Sequence, residues 1–131
     1  MLDKPLKVIK KDEQKKELNI SYRKENDFWC SYKALDKDFN EIVDCRFYCT
    51  KGGTVYCCIW VHGDNGWFSA SAKAGGWGYD KKSAALATAL DNAGVKLNAS
   101  ISCTGYVKEP IEAIAKYFSG KRNIHVIESY G

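Results

Sequence analysis

At 131 residues and 14.7 kDa the chain has the size of a single domain and the length to bury one core without disulfide or metal staples. Apolar residues at 45%, charged residues at 27% and a net charge of +4 exclude a globally disordered polyelectrolyte. No run approaches the roughly 18 apolar residues of a membrane span, and MLDKPLKVIKK lacks the apolar centre of an export signal, so no membrane contact and a cytoplasmic location are expected.

Positive charge is concentrated between Lys4 and Lys24, which permits contact with nucleic acid or an acidic protein surface. The first half then reads as antiparallel β structure. ELNISYRK sets Leu18, Ile20 and Tyr22 at period two, and after the turn KEND the stretch FWCSYKAL does the same with Phe28, Cys30, Tyr32 and Ala34. EIVDCRFYCT and TVYCCIWVHG flank KGGT, a two-residue Gly-Gly hairpin signal. TVYCCIWV is apolar on both faces, which predicts an interior strand covered on each side. GDNG is a further turn, and WFSASAKA leaves it.

Beyond Gly75 the period changes. Asp80 is a good N-cap, Leu86, Leu90 and Ala93 fall at helical spacing, and Gly94 closes the helix, predicting Asp80–Ala93. ISCTGYV reads as a short strand. Pro110 as the first helical residue, then Ile111, Ile114, Ala115 and Phe118 on one face, predict a second helix ending at Ser119 before Gly120. NIHVIESY is a last strand. The expected architecture is one compact α+β domain over 1–131, a four- to six-stranded antiparallel sheet with two helices packed on one face.

Six cysteines without a Cys-x-x-Cys pair and without an export signal read as reduced, buried thiols. Cys45, Cys49 and Cys58 are the set that a shared strand face would bring together for zinc; no metal and no cofactor is expected. No catalytic signature is present. His62 and His125 stand far apart, and the carboxylates Asp36, Asp38, Glu41 and Asp44 read as a solvated turn, with Asp38 and Asp44 as the pair a hydrolytic metal would need. The expectation is a protein that is not an enzyme.

Gly75, Gly76 and Gly78, with Trp77 and Tyr79 between them, precede the first helix, where free amides and the helix dipole attract an anion. Lys81 and Lys82 add charge, although Asp80 already offers those amides a carboxylate. The same glycines also serve a plain strand-to-helix turn.

From these residues two resemblances follow. Three strands, a glycine loop and DKKSAALATAL resemble the second half of a double-stranded-RNA-binding domain, in which a lysine pair reaches phosphates; Lys81 and Lys82 take the matching positions. GGWGYDKKSAALATAL is also similar to a recurring turn and alanine-rich helix in small phage and prophage accessory proteins. That likeness implies a phage or mobile-element protein acting by stoichiometric contact on a host defence protein or protein–nucleic acid complex, in the manner of an anti-CRISPR inhibitor. Its contact surface is expected at Gly75, Gly76, Trp77, Gly78, Tyr79, Lys81 and Lys82 together with the hairpin tip at Asp64, Asn65 and Trp67, with Trp60 among the surplus aromatics. The alternatives are a nucleic-acid-binding module and a sponge for a small anionic nucleotide signal.

Overall fold

The computed structural model describes residues 27–50, 53–64, 66–74, 81–95 and 107–130. They form β1 (Asp27–Leu35), β2 (Glu41–Cys49), β3 (Val55–Gly63), β4 (Gly66–Ala74), α1 (Lys81–Asn92), α2 (Lys108–Ser119) and β5 (His125–Tyr130). Every strand pairing is antiparallel, and the sheet runs β4-β3-β2-β1-β5. Period-two sequence in the first half and helical spacing in the second thus produce the expected α+β class. β5 pairs with β1 rather than with β4, so β1 has a neighbour on each side.

The register divides the side chains between two faces. One row crosses the strands as Glu128, Tyr32, Cys45, Ile59 and Ala70; the next on that face begins Val126, Ala34, Val43, Val61 and Phe68. Both helices pack here. Ala85, Leu86, Ala89 and Leu90 of α1 and Ile111, Ile114, Ala115 and Phe118 of α2 are buried in one cluster with these strand residues. The Phe68 and Phe118 rings meet at 5.1 Å between centroids. The opposite face carries the row Ile127, Lys33, Asp44, Trp60 and Ser69.

Local details depart from the sequence expectations for identifiable reasons. A β-bulge after Phe28 puts that ring on the face of Tyr48, opposite Cys30, Tyr32 and Ala34, instead of in line with them. The β2–β3 hairpin is not closed by two residues. Thr50 N–H donates to Thr54 O at 2.9 Å and brackets three, with Gly53 left-handed at φ 88°, the twist a three-residue turn requires. Helix α2 begins two residues before Pro110, which is tolerated because amides in the first turn have no helical acceptor. Gly94 and Gly120 terminate the two helices at φ 74° and 69°, as the C-cap reading requires. Cys45 and Cys49 share the helix-side face of β2, but Cys58 points to the other side, so the three cannot converge on one ion. ELNISYRK, Asp80 and most of ISCTGYV lie outside the described residues.

Gly63 fixes how α2 meets the sheet. A Cβ there would stand 2.3 Å from the Phe118 carbonyl oxygen, so only glycine allows the end of α2 to lie against the end of β3.

Candidate functional site

Among the described residues, two of the groups that combine burial with polar chemistry lie toward opposite ends of the sheet. At the first end, β1 turns into β2 through Asp36–Asn40. Asp36 Oδ1 accepts the backbone N–H groups of Asp38 and Asn40 at 2.8 and 2.9 Å, and its N–H donates to Asn40 O at 3.0 Å. Its second oxygen accepts from Lys121 Nζ at 2.7 Å and Asn40 Nδ2 at 3.2 Å. The carboxylate therefore closes its own turn and ties it to the residue that follows the α2 cap. The Lys121 ammonium, then the Asn40 amide, hold its pKa well below the usual carboxylate range. Asp36 and Asp44 are buried, not solvated as their setting in a turn implies.

This tightly closed turn presents Phe39. Its backbone is left-handed at φ 64° and its ring is 79% exposed. A bulky side chain rarely occupies that region, and such strain persists only where surrounding bonds over-determine it. Beside the turn is a cavity of about 320 Å³ bordered by Asp36, Glu41, His62, Asp64 and Lys121. Ser119, also in its wall, donates its hydroxyl to Ala115 O at 2.6 Å and accepts Lys121 N–H at 3.1 Å. The wall is thus a braced frame of mixed charge. Asp38 sits in the exposed turn and Asp44 on the sheet face bonded to Arg46, so the two do not form a metal-binding pair. Among the described residues no group of three or more His, Cys, Asp or Glu is placed to hold a metal ion.

At the second end Lys82 enters the protein from the first turn of α1. It is 7% exposed, and its Nζ donates to Tyr32 Oη at 2.8 Å. The ammonium lies 4.8 Å from the Trp29 ring centroid, 5.3 Å from Tyr32 and 5.8 Å from Tyr130, an aromatic cage around a cation. Glu128 Oε2 accepts from both Tyr32 Oη at 2.6 Å and Tyr130 Oη at 2.7 Å. Those two hydroxyls lower the Glu128 pKa, while burial and then the same carboxylate raise that of Tyr32. The neighbouring Cys30 thiol is pushed up to about 11 by burial. These groups pin the start of α1 to β1 and β5.

Lys82 therefore turns inward to Tyr32 instead of reaching a phosphate, whereas Lys81 beside it is partly exposed. Asp64 is exposed at the β3–β4 tip, where Gly63 pairs with Gly66. Lys81 opens α1, the helix that follows β4 in the chain. Trp60 is fully buried, not a surface aromatic. Asn65, Gly75, Gly76, Trp77, Gly78 and Tyr79 lie outside the described residues, as does the side chain of Trp67. Phe39 and Lys121 escaped sequence reasoning, and Asp36 was read only as a solvated carboxylate. LDKDFN holds the Asp-to-Asn spacing of a side-chain-closed turn, but nothing in it announces a strained phenylalanine or a lysine partner 85 residues away.

Known protein families, characterised proteins and solved structures contain no match to this chain. No described helix is long and apolar enough to cross a membrane.

Proposed function

We propose that the chain is a binding protein of phage or mobile-element origin that acts by stoichiometric contact on a host defence complex, in the manner of an anti-CRISPR inhibitor. Contact runs through the end of the sheet that carries Phe39 and Asp64. The observation that carries this reading is Phe39: a large, rigid, exposed aromatic on a strained backbone, presented by a turn that Asp36 and Lys121 hold from behind. Exposed aromatic anchors on preorganised frames are the usual centres of binding energy. The resemblance of Gly75–Leu90 to phage accessory proteins supplies the setting. A nucleic-acid module that grips phosphate with its paired lysines draws less support, because Lys82 is occupied inside the protein.

The test is affinity capture from a bacterial host with the wild type, Phe39→Ser and Lys81→Glu. One dominant protein partner at fixed ratio, lost with Phe39→Ser and kept with Lys81→Glu, supports contact through this end. Recovery of nucleotide or nucleic acid alone, with no protein, overturns it.

A further inference from the structure

Two thiols meet in the core, between β2 at the centre of the sheet and β3 beside it. Cys45 and Cys57 bring their sulfurs to 3.7 Å, and both are free and fully buried. Cys45 stands opposite Ile59 and Cys57 opposite Phe47, so the two are diagonal neighbours on the helix-side face. Side chains at such positions reach one another across the strands. The other thiols of this pair of strands are placed differently. Cys58 points to the opposite face. Cys49, opposite Val55, takes the other diagonal from Cys57 and lies four residues along β2 from Cys45, about 13 Å at strand rise.

We propose that Cys45 and Cys57 are a site of reversible oxidation, joined by a disulfide that ties β2 to β3 when the chain meets a small disulfide oxidant such as oxidised glutathione. One cysteine thiolate attacks a sulfur of the oxidant, forming a mixed disulfide and releasing one glutathione thiolate. The second cysteine then attacks the first, the protein S–S bond forms, and the other glutathione leaves. The protein gives up two electrons and two protons, and the oxidant becomes two thiols. An S–S bond is about 2.05 Å long, so each sulfur needs to move by less than about 1 Å. Burial sets when this happens. The oxidant does not reach sulfurs without exposed surface, and burial, then the Cys57 neighbour, push the Cys45 thiol well above its usual range. Reaction waits for β2 and β3 to part locally, and the finished bond closes back into the core, away from reductant.

The full-length chain is held with oxidised glutathione, with and without urea below its unfolding transition. It is then quenched with acid and alkylated under denaturing conditions. Cleavage after Arg46 separates Cys45 from Cys49, and fragmenting the second peptide distinguishes Cys57 from Cys58. A single Cys45–Cys57 link should accumulate, roughly tenfold faster in urea, where local opening is easier. The oxidised chain should melt roughly 5 °C higher, because the bond constrains the unfolded state, and unfolding in dithiothreitol should erase the gain. A dominant link through any other cysteine, no protein disulfide even in urea, or a lowered melting point overturns the proposal. So does oxidation at one rate with and without urea, which would mean that no opening is needed.

Discussion

Lys82 and Tyr32 are 50 residues apart in sequence and meet at 2.8 Å, the ammonium donating to a phenol oxygen that in turn donates to Glu128. This relay joins the first turn of α1 to β1 and β5. Replacing Lys82 by Met keeps the stem but removes the donor and the cation from a closed cage. The loss of a buried hydrogen-bonding group costs about 1–3 kcal/mol, which urea unfolding should register. Lys82→Arg should not restore wild-type stability, because a planar fork does not fit a cage shaped around a compact ammonium.

Gly63→Ala should be among the most damaging small substitutions. The new methyl would meet backbone at 2.3 Å, and the Phe118 carbonyl cannot move without displacing α2. Overpacking of this kind costs about 1–3 kcal/mol or more. Gly94→Ala is the control: its methyl meets nothing within 4 Å, so only the left-handed backbone at φ 74° is strained, at about 1–2 kcal/mol. Thermal unfolding should rank the two in that order.

The turn of Phe39 gives the opposite sign. Phe39→Gly removes the steric penalty at φ 64° and should leave stability equal or raise it by about 0.5–1 kcal/mol, despite the loss of a residue other than glycine. Phe39→Val, branched at Cβ, should lower it. A variant that folds at least as well as the wild type yet loses its partner would separate binding from structure at this position.

Acid should weaken the fold through Asp36 before its core is touched. Its folded pKa lies below its unfolded value, so the stabilisation is complete above about pH 5 and is lost as pH falls through about 4 and lower. Glu128, also lowered, adds to the same trend. Asp36→Asn cannot titrate. Its unfolding midpoint should be lower than the wild type at neutral pH and should change less between pH 5 and 2. A variant with an undiminished acid slope would remove Asp36 from this role.

The strands and helices were legible because each pattern has one clear period. Cys45, Phe47, Cys57 and Ile59 alternate inward, and Ile111, Ile114, Ala115 and Phe118 return at helical spacing. Strand order was not legible: β5 beside β1 depends on a contact between Tyr32 and Glu128, residues separated by 96 positions. Bulges and turn closures escaped for a related reason, since Phe28 changes face through the register with Tyr48 and not through its own neighbours. The GDNG turn was legible, and Asp64 is exposed there between β3 and β4. The burial of Lys82 was not legible, because charge alone does not reveal that Trp29, Tyr32 and Tyr130 will gather around it.

The position of β5 has a consequence for synthesis on the ribosome. β1 emerges early and pairs with β2 at once, as β2 does with β3, each through a short turn. Its other edge stays open until the residues of β5 have been added, some 96 positions later. During that interval β1 offers unpaired amides and carbonyls to any passing strand, the hazard that non-local β pairing brings to a nascent chain. Glu128 arrives with β5, so the carboxylate that receives Tyr32 and the strand that seals the edge are delivered together. A stalled chain lacking this strand should therefore be captured by chaperones, while one carried on a linker long enough to bring Tyr130 out of the exit tunnel should not.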